Sequence, residues 1–249
     1  MRLGTDPEVF LKDKSGKHIS VTGFIKAGKW EPLQIPDMPA GFTLQEDNVA
    51  LEYGIPPASS AKEFYNHIQA VMQRSRAWIP NLDFSKVSCT IFEDDQLQHP
   101  LTQVFGCEPD FNAWTKAENP KPNPPHPGMR SAGGHIHVET NLDPILVVKA
   151  MDQFLGVPSV LMDEGKERKQ LYGKAGAHRV KSYGVEYRTL SNFWIFEERL
   201  TDWVWRQTER ALEYAKAGCI PSGIVPKIIN TDNAELARKY CIKNYLEVI

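Results

Sequence analysis

The sequence predicts an α+β fold in which helices pack on one face of a largely antiparallel sheet. Three observations predict it. Several short segments alternate apolar and polar residues as half-buried strands do, and longer segments repeat apolar residues at helical spacing. The two kinds are mixed without the regular βαβ spacing of a parallel sheet.

The strand signals come in pairs of side chains that share a face, because residues i and i+2 of a strand project the same way. In residues 6–11, Asp6, Glu8 and Phe10 lie opposite Pro7, Val9 and Leu11. Residues 49–53 set Val49, Leu51 and Tyr53 against Ala50 and Glu52, and residues 87–92 align Val87, Cys89 and Ile91. Residues 134–140 set His135, His137 and Glu139 against Ile136 and Val138. Residues 185–190 set Glu186 and Arg188 against Val185, Tyr187 and Thr189.

The helix signals carry their own start and stop residues. Residues 60–78 open on Ser60 followed by Glu63, a capping box, and place Phe64, Ile68, Val71 and Met72 on one side. Asp143 before Pro144 starts a second helix, whose stripe of Ile145, Val148, Met151 and Leu155 runs up to Gly156. Residues 197–217 align Leu200, Val204, Ala211 and Ala215 and end at Gly218, and a shorter helix is expected over 232–244. Two stretches read as loops. Residues 112–130 hold Pro120, Pro122, Pro124, Pro125 and Pro127, too many for a helix or a central strand. Residues 164–182 are basic, with three glycines. No internal repeat or domain boundary shows, so residues 1–249 read as one domain.

Composition bounds the function classes. A chain of 249 residues with 41% hydrophobic residues can bury a sizeable core without disulfides or a structural metal. A net charge of −2 gives no bulk attraction to nucleic acid or a membrane surface, and neither is expected as a partner. The start, MRLGTDPEVF, lacks the apolar run of a signal peptide, and no segment reaches about 18 apolar residues in a row. The four cysteines show no CxxC pairing and are expected to be reduced thiols, which points to the cytoplasm.

The polar strand faces carry the chemistry. Asp6 with Glu8, His135 with His137, and Glu186 with Arg188 are each i, i+2 pairs, as are Glu108 and Asp110, while Glu52 stands alone in an apolar segment. Should these strands share a sheet, their polar faces would converge. Crowded carboxylates repel and take up protons unless cations lie between them, and a carboxylate-rich shell suits Mg²⁺ or Mn²⁺ better than zinc. The glycines Gly133 and Gly134 before His-x-His would let the backbone approach a ligand closely. Each pair taken singly also fits an ordinary solvated face.

The stretches GTDPEVFLKD, DNVALEYGIPPA, GCEPDFNAW, RSAGGHIHVE and LYGKAGAHRVKSYGVEYRTLSNFW carry a resemblance. They resemble the phage-type carboxylate–amine ligases (COOH·NH2 ligase type 2), a branch of the glutamine synthetase and glutamate–cysteine ligase superfamily. The resemblance spans residues 4–194 and leaves a helical C-terminal part, 197–249. It implies a glutamine synthetase-like catalytic domain, with a curved antiparallel sheet and helices on its outer face. It also implies ATP and Mg²⁺ (or Mn²⁺) as cofactors, and a carboxylate and an amine as substrates, a peptide or protein side chain among the candidates. By the resemblance, Asp6 and Glu8 match the opening acidic pair that serves two metal ions, with Asp6 shorter than the usual glutamate. Glu52 and His135 would be further metal ligands, and His137 would lie nearer the nucleotide. Glu186 and Arg188 match a Glu-x-Arg pair in which the acid binds metal and the arginine holds the transferring phosphate. Arg168, Arg179 and Lys181 would add phosphate contacts. Glu108, Asp110, Arg130 and Glu139 are candidate substrate or metal contacts, Asp110 or Glu139 as acceptor of the amine proton.

The implied reaction activates a carboxylate as an acyl phosphate, which an amine then displaces. The residues 112–130 loop is the candidate lid that would keep water from that intermediate. Other classes compatible with the motifs are a metal-dependent hydrolase, a guanidino kinase and an inactive phage structural or scaffold protein. A phage origin would place the protein in the host cytoplasm.

Overall fold

The structure, a computed structural model, describes residues 1–103 and 109–249. Its strands are β1 (Leu3–Thr5), β2 (Glu8–Lys12), β3 (His18–Ile19), β4 (Leu33–Gln34), β5 (Thr43–Asp47), β6 (Ala50–Gly54) and β7 (Asp83–Ser85). They continue with β8 (Cys89–Ile91), β9 (Phe111–Asn112), β10 (Ala117–Glu118), β11 (Met129–Ser131), β12 (Ile136–Glu139), β13 (Ala177–Lys181) and β14 (Gly184–Tyr187). The helices are α1 (Ala61–Ser75), α2 (Pro144–Met151), α3 (Val157–Met162), α4 (Glu198–Lys216), α5 (Val225–Asn230) and α6 (Ala234–Lys243). The α+β reading therefore holds, with every strand pairing antiparallel.

The strands do not share one sheet, as the convergence of polar faces had required. One sheet has the order β1-β12-β14-β13-β9-β10 and a second the order β3-β2-β6-β5-β4, with β7 also on β2 and β8 paired to β11 alone. The chain passes from the first sheet to the second at Asp6–Pro7, so residues 6–11 are not one strand. Proline lacks the N–H that a ladder would use, and it breaks the pairing there. Thr5 still faces Ile136 of β12, while Glu8 already faces Glu52 of β6. The two sheets are stitched at this point, where the Glu8 N–H donates to the Gly133 carbonyl at 2.9 Å.

Helices cover the apolar side. α2 packs on β13, β14 and α4, and α1 packs on β6 and α4. Val138, Val185 and Tyr187 point into that layer and are fully buried with Leu3, Val9, Leu11 and Leu51. At the start of α1 the Ser60 hydroxyl accepts from the Glu63 N–H, as expected, but the Glu63 carboxylate reaches back to the Ser59 N–H. The helix from Pro144 does not stop at Gly156. It passes through one π turn, Asp152–Gly156, and continues as α3. The resulting run, Pro144–Met162, is long and apolar enough to cross a membrane by length and composition, contrary to the sequence reading. Here 72% of it is buried within the protein, as suits a core helix.

The basic stretch 164–182 is also more ordered than a loop. It holds a short 3₁₀ turn, Lys166–Gln170, and β13, which lies between β14 and β9 within the first sheet.

Candidate active site

The two sheets bring their polar faces to a single cavity of about 610 Å³. Its walls include Asp6, Glu8, Glu52, Asp110, Arg130, His135, Arg168, Arg179, Lys181 and Arg188, all singled out from the sequence. His137 and Glu186 lie directly against this set. Glu108 lies outside the described residues.

On the first sheet the strand register sets a row across three strands. His137 of β12 and Arg179 of β13 both lie opposite Glu186 of β14, on one face. Cations and imidazoles surround this fully buried glutamate. Arg188 donates to Glu186 Oε1, the Lys181 Nζ lies 2.8 Å from Oε2, and Arg179 Nη1 lies 3.8 Å from Oε1. Burial alone would raise the Glu186 pKa, but Arg188 and its neighbours outweigh it and bring it down to about 2. Asp6 behaves likewise: burial opposes its charge, but His137 and His135 hold it well below the usual carboxylate range. His137 Nε2 and His135 Nδ1 are each 3.2 Å from Asp6 Oδ1. The proximity to Asp6 raises the His137 pKa against burial, while burial and Arg188 lower that of His135 to about 4, leaving it a neutral imidazole.

The second sheet sets a different row. Glu8 of β2 and Gln45 of β5 lie opposite Glu52 of β6, and Asp47 follows Gln45 on the same face. Here burial raises the Glu8 pKa to about 7, with Asp47 adding to it. Burial together with Asp6, Asp47 and Glu8 raises Glu52 well above its ordinary value, and Asp47 is raised too, chiefly by burial. Gln45 Nε2 donates to Glu52 at 2.6 Å, and the Gly133 N–H donates to Glu8 at 2.7 Å. Neither bond supplies a full positive charge. Arg188 and Arg168 act on Glu8, and Arg188 and Lys29 on Asp47, but burial outweighs them.

Three donor atoms, one each from Asp6, His137 and Glu186, lie within 4.8 Å of one another and could hold a metal ion. The resemblance gave the ligand role to His135 and the nucleotide side to His137; both imidazoles in fact flank Asp6, and His135 Nδ1 is also 3.8 Å from Glu186. Carboxylates far outnumber imidazoles in the whole set, which fits a hard divalent cation.

The glycines before His-x-His serve the protein itself. A Cβ on Gly133 would sit 2.3 Å from His135 Nε2, and one on Gly134 would sit 2.4 Å from the Ser191 carbonyl. They make room for the histidine ring and the neighbouring chain, where the sequence reading had placed a ligand. Arg168 is nearly fully buried and donates Nη1 to the Thr189 carbonyl at 3.0 Å. Gly173, at φ +72, leaves space for its guanidinium, since a Cβ there would fall 1.8 Å from Nη1.

Two expected contacts are placed differently. Glu139 is exposed at the far end of β12 and pairs with Arg2 at 3.3 Å, so it does not line the cavity. Arg130 does line it, but its guanidinium holds the carbonyls of Pro127, Met129 and Thr102 and the Asn48 side chain. Asp110 lies 3.7 Å from Arg188 Nε, at the mouth of the proline-rich loop. The cavity also takes in Lys29, Gln45, Asp47 and Tyr172, which were not singled out. Asp47 had a signal, since it precedes Asn48 in the quoted stretch DNVALEYGIPPA, but no apolar alternation marks β5 as a strand.

Residues 125–211 match the family described as phage phiEco32-like COOH.NH2 ligase-type 2. Over these residues the chain is similar to that family. The match covers β12, β13 and β14, with His135, His137, Glu186 and Arg188, and stops short of the acids on the second sheet. The family's name is that of a carboxylate–amine ligase. No curated protein and no solved structure matches the chain.

Proposed function

We propose that this chain is an ATP- and divalent-metal-dependent carboxylate–amine ligase of glutamine synthetase-like type, forming an amide through an acyl phosphate. One observation carries the reading: a row of buried acids, Glu8, Glu52 and Asp47, faces a wall of arginines and lysine across one cavity. Phosphoryl transfer needs both, metal ions to neutralise phosphate oxygens and guanidiniums to take the charge that spreads over the transferred group.

Asp6, His137 and Glu186, with His135 beside them, would hold one cation, and Glu8 and Glu52, with Asp47, a second. Such cations supply charge neutralisation at the phosphates and fix their position. Arg188 is positioned for the transferring group because Glu186 fixes its guanidinium at the cavity wall. Arg179, Lys181 and Arg168 would bind the remaining phosphate oxygens. The substrate carboxylate oxygen attacks the γ-phosphorus and ADP departs; the amine nitrogen then attacks the acyl carbon, phosphate leaves with that oxygen, and the nitrogen loses a proton. Asp110, which lines the cavity beside Arg188, would accept that proton. Pro120 and Pro122 of the 112–130 loop line the cavity and would help exclude water. A zinc hydrolase would call for more imidazoles than the two that stand among these carboxylates.

The test uses a carboxylate substrate labelled with ¹⁸O, found by screening acids and amines for metal-dependent ADP release. The ligase reading expects the label in the inorganic phosphate and a product lighter than the two substrates by one water. ADP release with no label in phosphate would contradict the acyl-phosphate route, and no ADP release across the screen would contradict the ligase.

A further inference from the structure

The side of β14 turned away from the cavity holds a buried carboxylate that the reaction does not use. Asp152 begins the π turn between α2 and α3 and is fully buried. Its Oδ1 accepts from the Tyr187 hydroxyl at 2.9 Å and lies 3.1 Å from the Thr189 hydroxyl. Its Oδ2 accepts from Trp114 Nε1 at 2.6 Å. Strand alternation explains why these partners matter. Glu186 and Arg188 project into the cavity, while Tyr187 and Thr189, one on either side of Arg188, project back towards the helices. The Thr189 carbonyl in turn accepts from Arg168. Trp114 stands at the root of the proline-rich loop, where the Asn112 side chain accepts from its backbone N–H.

We propose that Asp152 is a positioning residue that fixes from behind both the strand end presenting Glu186 and Arg188 and the root of the 112–130 loop. The catalytic half of this inference rests on the ligase reading; the anchoring half does not. A buried carboxylate is costly to keep, and an apolar residue in a helix core would pack at less expense. Burial does push the Asp152 carboxyl up, to about 6, while Trp114, Tyr187 and Thr189 pull it down. Its retention is explained by the three elements it joins, since one rigid acceptor sets the distance between helix layer, strand and loop. π turns inside α-helices often mark functional positions, and this one directs Asp152 at the sheet.

The test compares the full chain with Asp152→Ala, Asp152→Asn, Trp114→Phe and Tyr187→Phe. Three readouts are taken: tryptic cleavage after Lys116, hydrogen exchange at the Arg188 amide, and kcat and KM for metal-dependent ADP release. Asp152→Ala is expected to speed cleavage and exchange and to lower kcat by about tenfold to a hundredfold, as loss of reacting geometry does. Trp114→Phe should speed cleavage and raise KM with kcat held within about twofold, while Tyr187→Phe should speed exchange and lower kcat with cleavage unchanged. Asp152→Asn should rescue most of the loss, because its carbonyl can accept from Trp114 while its NH₂ meets the two hydroxyls. Should Asp152→Ala fail to fold, the Trp114 and Tyr187 variants still separate the two anchors. The inference is overturned if those variants lower the melting temperature alone, with cleavage, exchange, kcat and KM unmoved. Absence of ADP release by the native chain would strike the ligase reading, and the cleavage and exchange arms would still decide the anchoring role.

Discussion

The two walls of the cavity are built alike and charged differently. Each presents a row of three side chains fixed by strand register: His137, Glu186 and Arg179 on one sheet, Glu8, Glu52 and Gln45 on the other. In the first, acid alternates with base, and Glu186 and Asp6 are held ionised. In the second, the described hydrogen bonds to Glu8 and Glu52 come from a backbone N–H and an amide, and burial outweighs the more distant Arg188 and Arg168 and drives Glu8 and Glu52 towards the neutral form. One wall is compensated by close cations of the protein, and the other is the one at which we propose that a divalent cation binds. A ligand that brings both phosphate and divalent metal satisfies both at once.

The largest break in this comparison is expected at Arg188. Arg188→Ala removes the strongest of the charges that hold Glu186 ionised and, on the proposed mechanism, the group that would meet the transferring phosphate. Turnover should fall by roughly 10³-fold or more, measured as ADP release, with a lowered melting temperature because Glu186 is left buried beside fewer charges. A loss of only a few-fold would show that Arg188 is a structural ion pair.

The second wall is probed through pH. Glu8 has an ordinary pKa of 4.5 and a folded value of about 7. Between these values the folded chain holds a proton that the unfolded chain has released, so the metal-free protein loses stability as pH rises through this window. The loss from this group is on the order of a few kcal/mol. Glu52 shifts in the same direction, so Glu52→Gln should flatten the decline and make the metal-free chain more stable near neutral pH. Denaturant melts across the window measure both effects, and a steeper decline in Glu52→Gln would run against this account.

A smaller effect is expected at Gly173, where the left-handed backbone and the Arg168 guanidinium leave no room for a methyl group. Gly173→Ala should cost about 1–3 kcal/mol and weaken phosphate binding through displaced Arg168, as calorimetric titration would show. The smallest is Glu139→Ala, which breaks an exposed pair with Arg2 and should change stability by less than about 0.5 kcal/mol and turnover not at all. A large loss of turnover there would return Glu139 to the site.

What the sequence showed and what it hid follow from strand physics. Asp6, Glu8, His135, His137, Glu186 and Arg188 were legible because i, i+2 pairs on half-apolar strands advertise a shared polar face. β13 was hidden because Arg179 and Lys181 face the cavity while Val180 on the other side is exposed, so no apolar face announced a strand. Asp47 and Gln45 were hidden for a related reason: in Thr43–Asp47 only Leu44 is apolar, and its strand character comes from pairing with β6. The break at Asp6–Pro7 was legible in principle, since proline cannot continue a ladder, but which sheet each half joins is decided by distant partners. Asp152 gave no local sign at all, because its three partners, Trp114 in the loop and Tyr187 and Thr189 at the end of β14, lie far from it in the chain.

The proposed binding of a divalent metal at the second wall has a direct measurement. The melting temperature of the metal-free chain is compared at about pH 5 and about pH 8, with and without Mg²⁺ or Mn²⁺ at millimolar levels. The account predicts a fall between the two pH values without metal, its recovery on adding metal at the higher pH, and little metal effect in Glu52→Gln. A melting temperature indifferent to metal at the higher pH would contradict it.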